Sequence, residues 1–112
     1  MAEKKYLKKK DMKIVYIIGP YRAKTIYGIV QNIGRAERVA LKYWKKGYAV
    51  ICPHKNTALL DGYLLDDVWL RGDWEIIKRS DIIVVMKNWR RSEGSKVEVE
   101  LAKKLKKKIR YE

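Results

Sequence analysis

The segment that decides the fold is Ser92-Glu93-Gly94-Ser95-Lys96-Val97-Glu98-Val99-Glu100-Leu101-Ala102. It follows a run of five apolar residues, Ile82–Met86, and a polar loop. This order indicates a buried strand, a loop containing Ser and Gly, and the start of a helix. Free N–H groups in the first helical turn and the helix dipole both favour a negatively charged ligand. The segment therefore predicts an anion-binding site beyond the end of a strand.

Glu98 is the first candidate for chemistry within this segment. A helix that begins near Ser95 has a predicted apolar face of Val97, Leu101, Ala102 and Leu105. At about 100° per residue, Glu98 lies inside that face, whereas Glu100 points away from it. Glu93 is assigned to the loop before the helix. The alternative role for Glu98 is a favourable charge near the positive end of the helix dipole.

Apolar runs and helical patterns alternate along the rest of the sequence. Strands are predicted at Lys13–Ile18, Tyr48–Cys52, Ile82–Met86 and near Lys108–Tyr111. A helix that ends at Gly47 follows the first strand, an irregular stretch covers His54–Leu65, and another helix starts near Asp66-Asp67. This order predicts one α/β domain, residues 12–112, after a flexible basic arm, residues 1–11. Its open parallel sheet of four to five strands, flanked by helices, is flavodoxin-like or Rossmann-like.

Asp73 is a second carboxylate on a predicted inward face. The apolar residues of its helix are Trp69, Leu70, Trp74, Ile76 and Ile77. An ionised group on such a face needs a partner or a function, and the structural alternatives are pairing with Arg71 or capping a loop. Ligands of open α/β sheets bind beyond the carboxyl ends of the strands. Two carboxylates that flank a sugar carbon are typical of glycosidic bond cleavage.

The loops after the strands contain further candidates. Gly19-Pro20-Tyr21-Arg22 is predicted to contact a sugar or a phosphate, with a tight turn as the alternative. Ser92, Gly94 and Ser95 form either a phosphate-binding loop or only a helix cap. His54 is either a ligand contact or a structural histidine.

Composition excludes several classes of protein. No apolar run is long enough for a membrane span or a signal peptide. The single cysteine, Cys52, is interpreted as a buried apolar residue, and it can form neither an internal disulfide nor a metal cluster. We therefore expect a cytoplasmic protein; abundant Lys, Ile, Tyr and Trp favour a heat-adapted source. Of the net charge of +14, residues 1–10 carry +4 and residues 101–112 carry +5. A nucleic-acid-binding role rests on these ends alone and is not favoured.

The aromatic residues predict self-association. Trp44, Tyr63, Trp69 and Trp74 are a heavy aromatic load for 112 residues, and such side chains are enriched at interfaces. We expect at least a homodimer, formed in part by the helix that carries Trp69 and Trp74. Both of these residues are predicted to serve in the core or at a subunit interface rather than to stack on a base.

Three motifs together resemble the nucleoside 2-deoxyribosyltransferase superfamily. They are Gly19-Pro20-Tyr21-Arg22 after the first strand, Asp73 eight residues before Asp81, and Ser92-x-Gly94-x-x-x-Glu98-x-x-x-Ala102. The stretch Pro53-His54-Lys55-Asn56-Thr57-Ala58-Leu59-Leu60-Asp61-Gly62 is similar to a small branch of it, described mainly as a domain of unknown function. The resemblance covers residues 13–111 and implies a flavodoxin-like homo-oligomer that handles the N-glycosidic bond of nucleosides or nucleotides.

The resemblance also implies roles for single residues. Glu98 matches the family's nucleophile, which attacks C1′ of the deoxyribose, and Asp73 matches the acid that assists at the base. Ser92 and the Gly94 loop resemble the 5′-phosphate site of the deoxynucleoside-monophosphate N-glycosidases. Arg22 and His54 fall where those enzymes carry an arginine and a histidine.

The sequence departs from those hydrolases at Lys96, where they usually have Gly. The lysine either crowds the loop or adds a phosphate ligand. The printed sequence ends at the fourth predicted strand, where characterised members continue into a segment that completes a neighbour's site. The resulting hypothesis is an N-glycosidase or deoxyribosyltransferase that needs no metal or cofactor. A non-catalytic nucleotide-binding module is the alternative, and hydrolysis and transfer both stay open.

Overall fold

The computed structural model of the protein describes residues 11–112, so the predicted basic arm lies outside the described residues except for Asp11. The strands are β1 (Ile14–Ile18), β2 (Ala49–Ile51), β3 (Ile82–Val85) and β4 (Lys108–Tyr111). The helices are α1 (Ile26–Lys45), α2 (Pro53–Asn56), α3 (Asp66–Arg79) and α4 (Glu93–Lys104), with a 3₁₀ turn at Trp89–Arg91. No helix of the described part is long and apolar enough to cross a membrane.

The four strands form one parallel sheet in the order β2-β1-β3-β4. In its register Ile17 pairs with Val84, and Ile83 pairs with Ile109. This sheet confirms the predicted open α/β architecture. The chain runs outward from β1 to β2 and then returns to β3 on the other side of β1. The point between β1 and β3 is therefore the topological switch point, where such sheets bind their ligands.

Both faces of the sheet are covered, which explains why β1 and β3 are apolar on both sides. One face packs against α1 and the other packs against α3 and α4. The first core contains Val15, Ile17, Val84, Ala36, Ala40 and Tyr43. The second contains Tyr16, Ile18, Val85, Ile77, Val99 and Ala102. Because successive residues of a strand point to opposite faces, Tyr16 projects towards the helices that also carry Asp73 and Glu98.

Two boundaries differ from the sequence-based expectation. The short helix α2 occupies the start of the stretch that was predicted to be irregular, with Pro53 at its first position, which its fixed φ suits. Helix α4 begins at Glu93 instead of near Ser95, because the Ser92 hydroxyl accepts a hydrogen bond from the Ser95 N–H at 3.1 Å. Glu93 is therefore the first residue of the helix and not part of the loop before it.

The predicted apolar face of α4 was also wrong in part. Val97 is 48% exposed and Leu105 is 37% exposed, whereas Ser95, Val99 and Ala102 are buried. The packed face is therefore centred about a quarter of a turn away from the predicted one. Of the buried residues, Ala102 was part of the predicted face, whereas Ser95 and Val99 were not. Glu98 lies between the centres of the two faces and is 8% exposed, so its predicted inward position holds.

Candidate active site

A cleft of about 490 Å³ opens at the carboxyl ends of the strands. Its wall is made by the loop after β1, the segment from α2 to α3, and the start of α4. The volume lies within the range of small-molecule sites, and the position is the switch point between β1 and β3. Among the predicted site residues, all except Pro20 line it: Gly19, Tyr21, Arg22, His54, Asp73, Ser92, Gly94, Ser95 and Glu98.

Glu98 is the most deeply placed acid of the cleft. Its side chain is 8% exposed, and its Oε2 accepts a hydrogen bond from the Tyr16 hydroxyl at 3.0 Å. Burial raises the pKa of Glu98 to about 8, and the charge of Asp73 contributes, whereas the hydrogen bond from Tyr16 opposes the rise. Burial also raises the pKa of Tyr16 well above its ordinary value, so the phenol stays a hydrogen-bond donor.

Asp73 lines the same cleft from helix α3, where it is half-buried. Burial raises its pKa to about 6, and no cation of the described residues lies within ion-pair distance of it. The structure therefore does not contain the pair with Arg71 that was the structural alternative. Burial raises the pKa of both acids and the charge of Asp73 raises that of Glu98 further, so Asp73 ionises at lower pH than Glu98. Near pH 7 the pair holds one proton, which resides on Glu98.

The first turn of α4 forms the opposite end of the cleft. Glu93, Gly94 and Ser95 all line the cleft there. The Ser92 hydroxyl caps the Ser95 N–H, which leaves the N–H groups of Glu93 and Gly94 without a partner inside the helix. The Ser95 Oγ is buried and has no hydrogen-bond partner among the described residues, although a buried hydroxyl normally has one. These unsatisfied groups and the helix dipole make this end of the cleft suited to an anion.

Two cations differ in their position relative to this end of the cleft. Arg91 lines the cleft immediately before the cap of α4. Lys96, in contrast, points outside and pairs with Glu93 at 3.2 Å, and it does not line the cleft. Lys96 therefore does not crowd the loop. Its charge is engaged at the surface by a carboxylate that is itself largely exposed.

Gly19 and His54 build the floor beside β1. A Cβ atom on Gly19 would lie 2.3 Å from the Sδ of buried Met86, so this position accepts only glycine without rearrangement. The Nε2 of His54 lies 2.9 Å from the Gly19 carbonyl, which can only accept, so Nε2 carries the proton. Burial lowers the pKa of His54 and keeps the ring neutral. His54 thus holds the Gly19 loop in place.

Tyr21 and Arg22 connect the β1 loop to the segment before α3. The Tyr21 hydroxyl donates to Asp61 Oδ1 at 2.6 Å and accepts from the Leu59 N–H at 2.8 Å. Arg22 forms an exposed ion pair with Asp66 at 2.8 Å. Both side chains line the cleft, but their polar groups already have partners within the protein. Pro20 is buried and does not line the cleft.

Several residues of the site were not predicted from the sequence, among them Tyr16, Asp61, Trp69 and Arg91. Tyr16 had a detectable signal, because a hydroxyl within an apolar strand needs a partner when it is buried. Trp69 was predicted to lie in the core or at an interface, whereas it lines the cleft together with Leu70. The roles of Asp61 and Arg91 depend on which loops meet, which only the strand order decides.

The fold and the cleft define a flavodoxin-like α/β domain with two acids and a helix start suited to an anion at its switch point. The chain belongs to the family described as "Domain of unknown function (DUF4406)", which matches residues 13–111. No curated protein matches the sequence.

Solved structures of two 2-deoxyribosyltransferases have the same fold. One is from the psychrotolerant bacterium Bacillus psychrosaccharolyticus, with 19% identity and a TM-score of 0.62, where the alignment covers 88% of this chain and 70% of that one. The other is from Leishmania mexicana, with 17% identity and a TM-score of 0.65, covering 88% of this chain and 63% of that one. The chain thus spans about two thirds of the length of these structures.

Proposed function

We propose that the protein binds a deoxynucleoside or its 5′-monophosphate in the cleft and cleaves its N-glycosidic bond, with Glu98 as nucleophile and Asp73 as acid. The observation that carries this proposal is the pair of coupled carboxyl groups in one cleft, with Glu98 held by the Tyr16 hydroxyl. Shared architecture with 2-deoxyribosyltransferases supports it. Hydrolysis and transfer differ only in which molecule accepts the sugar.

The reaction proceeds in two displacements at C1′ of the sugar. A carboxylate oxygen of Glu98 attacks C1′, and the bond between C1′ and the base nitrogen breaks, with its electron pair left on the base. Asp73 supplies the proton that the leaving base takes up. Water or a second base then attacks C1′, its proton passes to the Asp73 carboxylate, and the bond from C1′ to Glu98 breaks to release the Glu98 carboxylate. The hydrogen bond from Tyr16 holds Glu98 in one orientation throughout.

The number of protons in the acid pair matches this scheme. A nucleophilic carboxylate and a protonated acid together carry one proton, which is what the pair holds near pH 7. In the free protein that proton resides on Glu98. Positive charge that develops at C1′ favours the ionised form of Glu98, so the proton must pass to Asp73 and the base as the reaction proceeds.

The 5′-phosphate is proposed to bind at the start of α4. Its oxygens would accept hydrogen bonds from the N–H groups of Glu93 and Gly94 and from the buried Ser95 hydroxyl. Arg91 and Arg22 line the same cleft and add positive charge, provided that Arg22 leaves Asp66. Monophosphates are therefore expected to bind more tightly than nucleosides.

A homo-oligomer is part of this proposal. Large apolar side chains next to the cleft are exposed, among them Ile26 (74%), Tyr63 (80%) and Leu65 (78%). They belong to the start of α1 and to the segment before α3, whose neighbours Tyr21 and Asp61 line the cleft. Trp69 and Trp74 are half-buried, and Trp74 packs against the core. The segment before α3 is therefore a better interface than the face that carries these two tryptophans.

A second candidate function is a nucleotide-binding module without catalysis. The raised pKa of Glu98 favours it, because a protonated carboxyl group is not a nucleophile. Such a module would bind the same monophosphates at the start of α4 and release no base.

Chromatography of the free base released from a panel of nucleosides and 5′-monophosphates distinguishes the two functions. Glu98→Ala should lower turnover about a thousandfold or more while ligand binding is largely retained. Asp73→Asn should also lower the rate strongly, and Glu100→Gln, on the exposed side of the same helix, is the matched control. Near-normal turnover by Glu98→Ala would overturn the site assignment. Tight binding without base release would favour the non-catalytic module.

A further inference from the structure

A second cavity of about 300 Å³ lies at the carboxyl ends of β3 and β4. The residues that give it chemical character are Lys87, Trp89, Arg90 and Tyr111. None of them was selected from the sequence as a functional residue, and none lines the first cleft. The cavity therefore needs an explanation of its own.

The walls of this cavity combine flat groups with positive charge. The Arg90 guanidinium lies 4.8 Å from the centre of the Trp89 ring, and the Trp89 and Tyr111 rings are 6.2 Å apart at an angle of 43°. Guanidinium and aromatic planes of this kind stack on nucleobases in proteins that bind single-stranded nucleic acid or nucleotides. Tyr111 is half-exposed, so its ring is accessible to a ligand.

Charge selects an anionic partner for these planes. Lys87 and Arg90 have no ion-pair partner among the described residues. Glu112, the one acid that lines the cavity among residues 11–112, is engaged by Lys42 at 2.8 Å and by the Tyr43 hydroxyl at 2.6 Å. The cavity is therefore positive, and it fits a heteroaromatic group that carries phosphate.

The second cavity and the first cleft flank the same short turn. Arg90 lines the cavity and its neighbour Arg91 lines the cleft, both within the 3₁₀ turn Trp89–Arg91. Three residues of a 3₁₀ turn span about 6 Å. A phosphate at the start of α4 would thus lie beside the turn, and a group attached to it could cross to the cavity.

We propose that the physiological ligand extends beyond its 5′-phosphate: it is a nucleotide whose 5′-phosphate is joined through a second phosphate to another nucleoside, whose base binds against Arg90 and Tyr111. This inference rests on the proposed function, because the first nucleotide occupies the cleft. The phosphate bridge lies between the start of α4 and Arg90. The proposed ligand thus belongs to a different chemical class from a simple monophosphate.

Isothermal titration calorimetry tests the inference by comparing the affinities of two ligands for each base. One is the 2′-deoxynucleoside 5′-monophosphate, and the other is the matching dinucleotide, in which two such nucleosides are joined by a 5′,5′-pyrophosphate. The Glu98→Gln background prevents turnover. For at least one base of the panel, the dinucleotide should bind about tenfold more tightly than the monophosphate, or tighter still. Arg90→Ala and Tyr111→Ala should each remove most of that advantage and leave monophosphate affinity unchanged. Lys108→Ala, an exposed change in β4 outside both cavities, should alter neither affinity.

The outcomes separate the inference from the proposed function. Equal affinity for the two ligands, or an advantage that survives both cavity variants, would overturn the inference and leave the proposed function standing. If no monophosphate and no dinucleotide binds, the proposed ligand class is wrong and the inference falls with it. Arg91→Ala should weaken both ligands, which checks that the first phosphate occupies the cleft.

Discussion

Replacing Glu98 by Gln removes a buried acid while it preserves the shape of the side chain. The wild-type carboxyl group is 8% exposed and accepts a hydrogen bond from Tyr16, which the Gln carbonyl can also accept. The variant therefore isolates ionisation from packing. We predict that Glu98→Gln makes the free energy of unfolding less dependent on pH and stabilises the protein under alkaline conditions.

The magnitude follows from the pKa of Glu98, which burial raises from 4.5 to about 8. Above pH 4.5 the unfolded chain releases a proton that the folded protein still holds. The contribution of Glu98 to stability is thus full below pH 4.5, falls as the pH rises, and levels off above about pH 8. The fall is about 1.4 kcal/mol per pH unit within this window, or about 3 to 4 kcal/mol between pH 5 and pH 8.

Urea unfolding at pH 5, 6, 7 and 8 measures this difference. The free energy of unfolding of the wild type should decline relative to that of Glu98→Gln by about the amount given above. Asp73 remains in both proteins, so the comparison cancels most of its own titration. Glu100→Gln, on the exposed side of the same helix, should follow the wild type at every pH. Parallel pH profiles of wild type and Glu98→Gln would refute the buried, protonated state of Glu98.

Three further predictions concern turnover, packing and assembly. The pH profile of kcat/KM should be bell-shaped with limbs at about pH 6 and about pH 8, because the acid pair works only when it carries one proton. A profile that is flat across this range would contradict that prediction. Gly19→Ala should lower the free energy of unfolding in urea by about 1 to 3 kcal/mol and weaken ligand binding, since the new methyl group displaces Met86. Gly72→Ala, with open space around the new atom, is the control, and equal stability of the two variants would count against the tight contact at Gly19. Light scattering at micromolar concentration and moderate salt should give at least a dimer, which Tyr63→Ser weakens; a monomeric wild type would contradict this.

The sheet was predictable because its strands are short apolar runs between helical patterns. Strand β3 is buried on both faces, so its sequence is continuously apolar and readily distinguished from a surface element. Glu98 was also predictable, since its angle on α4 places it inside a packed face even when the centre of that face is misjudged. That misjudgement arose because the predicted face included Val97 and Leu105, which are exposed, and left out Ser95 and Val99, which are buried.

The partners of Glu98 were not predictable from the sequence. Tyr16 faces Glu98 only because β1 lies in the middle of the sheet and α4 covers that face. The strand order also decides that Asp61 and Trp69 meet the start of α4 across one cleft. Arg22 and Tyr21 fall at the predicted place, yet their polar groups bind Asp66 and Asp61. Loop pairing of this kind depends on tertiary contacts that no local pattern encodes.

A covalent intermediate on Glu98 tests the central claim most directly. The protein would be mixed with a nucleotide that it cleaves, quenched in acid within the first turnover, and digested for peptide mass spectrometry. We predict a glycosyl adduct on the peptide that contains Glu98, carried by its carboxyl oxygen, and no adduct in Glu98→Gln. Base release by the wild type together with an adduct on another residue, or undiminished base release by Glu98→Gln, would contradict the account.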